Sequence, residues 1–192
     1  MAVGLYGGSF NPAHEGHAHV AKTALRRLGL NRVIWLVTPQ NPLKSPKETA
    51  RQRQRLKGAK RLATGPAMVV SDVERRLGSR YSIDTVRRLK ARFPRVHFVW
   101  IMGADSLNGL HAWRDWPALL REIPMAIVAR PGVTLRSLAA PAARRFSRSR
   151  LPGGAGRRLA LTAPPAWIYL TAPWNYASST ALRNSPDPGR PL

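Results

Sequence analysis

The chain is 192 residues long, carries 32 Lys+Arg against 9 Asp+Glu for a formal net charge of +23, and contains no cysteine. That length suits one domain with a real core, and 44% hydrophobic residues mark it as globular rather than disordered. The composition excludes a disulfide framework, a thiolate zinc site and a cysteine nucleophile, and with no leader pattern at Met1 and no apolar run near ~20 residues, a cytoplasmic protein without a membrane span is expected.

In chain order, Ala2 to Tyr6 is a first apolar run, and His17 to Leu28 places Val20, Ala21, Ala24, Leu25 and Leu28 at helical spacing. Val33 to Val37 reads as a buried strand ended by Thr38-Pro39. Ser45-Pro46-Lys47-Glu48 has the form of a capping box, and predicts an Arg-rich helix from there to about Leu62. Ala67 to Val70 is a short strand, and Ser82 to Phe93 a helix capped by Ser82 and closed by Pro94. Val96 to Met102 and Met125 to Ala129 are strands with a helix at Trp116 to Glu122 between them. Leu135 to Pro165 reads as loop with at most one short helix, Ile168 to Leu170 as a last strand, and Ser179 as the start of a final helical turn. Strands and helices alternate, and the strands are continuously apolar. The expectation is therefore a single α/β domain over residues 1–192, with 185–192 an irregular tail. It is a doubly wound, mostly parallel sheet of Rossmann-like type. Ligands of such sheets bind beyond the carboxyl ends of the strands, which directs attention to the residues from Gly7, Thr38 and Gly103 onward.

The charge does not gather in one tract: Arg26-Arg27, Arg51 to Arg61, Arg75-Arg76, Arg87-Arg88, Arg144 to Arg150 and Arg157-Arg158 span the chain. A site for small phosphate-bearing anions follows more readily from this than a specific nucleic-acid interface. Gly7-Gly8-Ser9-Phe10-Asn11-Pro12-Ala13-His14-Glu15-Gly16-His17 joins the first strand to the first helix. Its glycines let a ligand approach the main chain, and the helix start favours an anion. His14 and His17, three apart, can both turn toward one phosphate and supply positive charge when protonated. Neither G-x-G-x-x-G nor a Walker A motif is present, and no third ligand at metal spacing follows the histidines.

This G-G-x-F-x-P-x-H-x-G-H segment resembles the signature of the HxGH nucleotidyltransferases, and among them the bacterial nicotinate-mononucleotide adenylyltransferases of NAD biosynthesis. Seven fixed positions at about 5% usage each agree by chance roughly once in 10⁹. The resemblance implies attack of a mononucleotide phosphate on the α-phosphorus of ATP, with Mg²⁺ arriving on the nucleotide, no resident metal and no protein nucleophile. Pro39 to Lys44 resembles the family's P-x-x-x-P-x-K, Tyr81 to Thr85 its Y-[ST]-x-D-T, and Ser178 to Arg183 its S-S-T-x-x-R. Carried over motif by motif, His14, His17, Lys44 and Arg183 are the implied catalytic groups. Gly7, Gly8, Ser9, Phe10, Gly16, Gly103, Asp105, Ser178, Ser179 and Thr180 are the implied ATP site. Asn41, Tyr81, Thr85, Trp113 and Arg130 are the implied nicotinate mononucleotide site, with Trp113 stacking on the pyridine. Asn11 departs from the family's usual Asp, and the tail after Arg183 is short. The resemblance leaves a homo-oligomer open. The rivals are pantetheine-phosphate adenylyltransferase or a cytidylyltransferase within the class, and a basic nucleic-acid-binding module outside it.

Overall fold

A computed structural model describes residues 1–43, 45–129 and 134–171. Seven parallel strands form one sheet: β1 (Ala2–Gly8), β2 (Arg32–Val37), β3 (Met68–Ser71), β4 (His97–Gly103), β5 (Met125–Val128), β6 (Arg150–Leu151) and β7 (Trp167–Leu170), in the order β3-β2-β1-β4-β5-β7-β6. The chain leaves β1 toward β2 and β3, then returns to β4 and builds outward the other way. A topological switch point therefore lies between β1 and β4, whose pairing runs from Ala2↔His97 to Tyr6↔Ile101.

Side chains alternate along each strand because both faces of the sheet are covered. Val3 and Leu5 of β1 and Trp100 and Met102 of β4 enter one core, with helices α4 (Ser82–Arg92) and α6 (Trp116–Glu122) over it. Tyr6, Val33, Trp35, Val99 and Ile101 enter the other, under α1 (Glu15–Arg27) and α2 (Gln52–Leu62). Among the described residues the other α-helices are short: α3 (Val73–Leu77), α5 (Ala104–Gly109), α7 (Thr134–Leu138) and α8 (Pro141–Arg145). Among the described residues no helix is long and apolar enough to cross a membrane.

Three local expectations need correction. The helix predicted from Ser45 breaks into a 3-10 turn at Pro46–Glu48 and a separate α2 beginning at Gln52. Asn11 is the cause: its Nδ2 donates to the Glu48 carbonyl at 2.8 Å and its Oδ1 accepts from the Ala50 N–H at 3.2 Å, taking two backbone groups that a continuous helix would use itself. Ser82 is the first residue of α4 rather than its cap, which is Tyr81. The stretch from Leu135 to Pro165 is not a loop. It holds part of α7, then α8, β6 and a long 3-10 segment at Gly153–Leu161. Pro141 and Pro152 sit at the starts of short elements here, which are too brief for a period to show. The stretch is tied down by the Trp167 indole donating to the Phe146 carbonyl at 2.7 Å and by Ala142, Ala143, Leu159 and Ala160 in the cores. The helical turn expected at Ser179 lies outside the described residues.

Gly156 shows how closely that segment seats. A Cβ there would stand 2.5 Å from the Arg27 carbonyl oxygen, which is backbone and cannot swing away. At Gly154 a Cβ meets nothing within 4 Å. Gly156→Ala should therefore lose about 1–3 kcal/mol of stability in denaturant unfolding while Gly154→Ala stays close to the parent. Equal behaviour of the two variants would contradict the seating described.

Candidate active site

The loop leaving β1 is held by aromatic packing. Phe10 takes a left-handed φ of 49°, uncommon for a residue with a side chain, and its ring is buried. That ring stacks on Trp35 at 5.1 Å and meets Tyr6 and His17 edge-on at 5.3 and 5.0 Å. The burial offsets the strained backbone and sets the path by which the chain enters α1. His14 is the N-cap residue of α1, and its N–H donates to Nδ1 of His17 at 3.2 Å. That bond leaves the proton of the neutral His17 ring on Nε2. The two imidazole centroids lie 3.8 Å apart.

A cleft of about 540 Å³ opens over the carboxyl ends of β1 and β4, a size suited to a nucleotide-scale ligand. Gly7, Gly8, Ser9, Phe10, His14 and His17 line one end, together with Asn41 from the loop after β2. Asn41 reaches the Ser9 hydroxyl at 3.5 Å and accepts the Leu43 N–H at 2.9 Å, so the two loops are linked. Gly103 and Asp105 stand at the end of β4 and the start of α5, with the Asp105 carboxylate exposed in the cleft. Tyr81 and Trp113 are also among the lining residues. Trp113 packs edge-on against the buried Trp100 at 6.2 Å, and the Arg114 guanidinium lies 5.0 Å above the Tyr81 ring. Among the described residues no cluster of three or more His, Asp or Glu could hold a metal ion by itself.

Two of the expected residues stand elsewhere. Gly16 is buried in the first turn of α1 and is not part of the cleft wall. Thr85 has 0% exposure, and its hydroxyl is engaged inside the protein with the Ser79 hydroxyl at 2.8 Å and Glu74 Oε1 at 3.3 Å. One turn earlier on α4, Ser82 is the residue that borders the cleft. Lys44, Arg130, Ser178, Ser179, Thr180 and Arg183 lie outside the described residues.

The structure also brings in residues that the sequence did not single out. Arg55 on α2 is 3% exposed, and its Nε, Nη1 and Nη2 donate to the carbonyls of Ala50, Ser9 and Pro39 at 2.8, 2.7 and 2.7 Å. One guanidinium thus ties the loop after β1 to the loop after β2. Burial lowers its pKa, and no carboxylate pairs with it among the described residues. Glu74, on the short α3, is 7% exposed and borders the cleft. Burial pushes its carboxyl up to about 7, while the Thr38 and Thr85 hydroxyls pull the other way. Arg80 and Arg114 complete that end. The adjacency of Arg80 to Tyr81 and of Arg114 to Trp113 was the available signal for these two.

A parallel sheet whose cleft at the switch point joins a glycine loop, a helix start and two imidazoles is the frame of a nucleotide-handling α/β enzyme. The family model described as cytidylyltransferase-like matches residues 5–185. A "Probable nicotinate-nucleotide adenylyltransferase" of a Caulobacter species is 60% identical over 183 residues, covering 95% of this chain and 97% of that one. Its counterpart from Methylorubrum extorquens is 51% identical, covering 95% and 99%. The chain belongs to the cytidylyltransferase-like family and, within it, to the nicotinate-nucleotide adenylyltransferases. The fold agrees with the solved Plasmodium falciparum nicotinic acid mononucleotide adenylyltransferase complexed with NaAD, at a TM-score of 0.70 and 15% identity over 95% of this chain and 82% of that chain.

Removing the Arg55 guanidinium strands three backbone carbonyls at once. Arg55→Ala should lower unfolding free energy by about 3 kcal/mol or more and raise the KM for ATP, and Arg55→Lys, a point donor that cannot span three acceptors, should recover little of either. Denaturant midpoints and initial rates of the two variants check this; parental values in Arg55→Lys would contradict the bracing role.

Proposed function

We infer that the protein transfers the adenylyl group of ATP to nicotinate mononucleotide, giving nicotinate adenine dinucleotide and pyrophosphate in NAD biosynthesis. The observation that carries this is the cleft itself, in which the paired imidazoles at the start of α1 and the Tyr81–Trp113 wall belong to one cavity. The names of relatives up to 60% identical over nearly the whole chain support it.

The chemistry asks for positioning and charge stabilisation rather than a protein nucleophile. A phosphate oxygen of the mononucleotide attacks the α-phosphorus, the bond to the β-phosphate oxygen breaks, and pyrophosphate carries away the electron pair. His14 and His17 are the proposed groups that stabilise the charge developing on the α-phosphate, a role supported by the bond from the His14 N–H that orients the His17 ring. The loop backbone at Gly7 to Phe10 and Asp105 at the end of β4, all lining the cleft, are proposed to hold the nucleotide, Asp105 by accepting from the ribose hydroxyls. Trp113 offers a flat face to the pyridine, backed by Trp100. Lys44 and Arg183 are proposed phosphate ligands on the motif resemblance alone. Mg²⁺, as the divalent ion of this chemistry, is proposed to arrive on the ATP phosphates and to neutralise part of their charge. Asp105 is an exposed carboxylate on the cleft wall, and so fits a role beside the ion's water shell.

Pyrophosphate release measured with ATP and a panel of acceptors should show nicotinate mononucleotide as the preferred one and 4′-phosphopantetheine as inactive. Equal or greater turnover with the pantetheine compound would replace this reading by its rival. His17→Ala should remain folded and lose about 10²-fold or more in kcat, the cost of one donor to developing phosphate charge. Circular dichroism and initial rates on the same preparation check it, and near-parental kcat would remove His17 from the chemistry.

A further inference from the structure

We propose that Glu74 is a positioning residue for the mononucleotide: without touching the substrate, its carboxyl holds the start of α4 at the cleft wall through a buried chain of hydroxyls. The inference rests on the adenylyl-transfer reading, in which the pyridine lies against Tyr81 and Trp113, and adds a residue to it. Tyr81 and Ser82 border the cleft, yet Tyr81 caps α4 with no side-chain hydrogen bond. What fixes this turn is the fully buried Thr85. Its single hydroxyl proton is shared between Glu74 Oε1 at 3.3 Å and the Tyr81 carbonyl at 3.2 Å. The Ser79 hydroxyl, 2.8 Å away, is then the donor to Thr85. The chain runs from Ser79 through Thr85 to Glu74, and the Ser79 N–H closes it by donating to the Glu74 carbonyl at 3.0 Å.

The same carboxyl reaches the facing loop. The Thr38 hydroxyl, just beyond the end of β2, also bonds it, and the loop that follows carries Asn41 into the cleft. Glu74 thus joins the β2 end to α4, as Arg55 joins the β1 and β2 loops. Its own helix, α3, is five residues long with Val73 and Leu77 only partly buried, so polar bonds carry much of its connection to α4. Arg88 adds one at the surface by donating to the Leu77 carbonyl. Releasing the chain lets Tyr81 shift, and with it the Arg114 guanidinium stacked on the Tyr81 ring at 5.0 Å. The imidazoles stand at the start of α1 and Asp105 on α5, which are separate elements. The effect should therefore fall on the mononucleotide and spare ATP binding and the chemical step.

The test compares kcat and the KM of each substrate in Glu74→Met, Glu74→Gln, Thr85→Val and the double variant Glu74→Met/Thr85→Val. Methionine keeps the length of Glu74 without its acceptors, glutamine keeps one acceptor oxygen, and valine keeps the shape of threonine without the hydroxyl. Glu74→Met should raise the KM for nicotinate mononucleotide about ten-fold, leave kcat and the KM for ATP within about two-fold, and be largely rescued by Glu74→Gln. Thr85→Val should behave like Glu74→Met, and the double variant should be no worse than the worse single one. Parental KM in Glu74→Met, an equal rise in both KM values, or a fall in kcat alone would overturn the proposal. So would a Glu74→Gln as defective as Glu74→Met, or additive losses in the double variant, which would put the Thr85 hydroxyl on the substrate itself. Should Glu74→Met fail to fold, Ser79→Ala removes only the first donor and should still raise the KM for nicotinate mononucleotide about three-fold at unchanged KM for ATP, parental values again overturning the proposal. Turnover of nicotinate mononucleotide by the parent, established first, secures the functional reading, so these failures would fall on Glu74 alone.

Discussion

The geometry of the cleft depends on a single buried guanidinium. The loops after β1 and β2 have no sheet partners for their carbonyls, and left to themselves would meet water in many conformations. Arg55 collects one carbonyl from each, and a third from Ala50 in the segment leading into its own helix, into a planar fork of donors at 2.7 to 2.8 Å. Asn11 makes the second tie, to Glu48 and Ala50. An ionised aspartate in its place could accept the Ala50 N–H but could not donate to the Glu48 carbonyl, so the departure from the family's usual residue is matched by a bond that only the amide can make. With Phe10 buried among Tyr6, Trp35 and His17, the imidazole end of the cleft is ordered before any ligand arrives, which is what catalysis by positioning requires.

The cleft is chemically divided. One end presents imidazoles and a helix start, the other aromatic faces with two arginines and a buried carboxyl whose pKa burial raises. A molecule with anionic phosphates at one end and a flat ring at the other fits that division. The net charge of +23 is a weaker guide, because most of it sits on exposed faces such as Arg26, Arg27, Arg53 and Arg75, away from this cleft.

The fold was legible because apolar runs in a parallel sheet are long and their spacing by helices is regular. Val33 to Val37 and Val96 to Met102 needed no tertiary information. The imidazole end of the cleft was legible because its residues are consecutive: the histidines that open α1 can only stand where the first strand ends. Thr85 was not, since a motif at a helix start does not say which side of the first turn meets the ligand, and packing against Ser79 and Glu74 turned it inward. Arg55 was hidden among Arg51, Arg53 and Arg61, and only the approach of the β1 and β2 loops distinguishes it from a solvated neighbour. Glu74 sits in a helix of five residues with no readable period.

The central claim is that the cleft aligns two substrates for direct transfer and lends the reaction no nucleophile of its own. The paired imidazoles make the alternative, a covalent adenylyl-histidine, a concrete one. The configuration at phosphorus decides between them. With ATP chiral at an α-phosphorothioate and nicotinate mononucleotide as acceptor, a single direct displacement predicts inversion in the dinucleotide product. Retention would mean two displacements through the protein and would contradict the account.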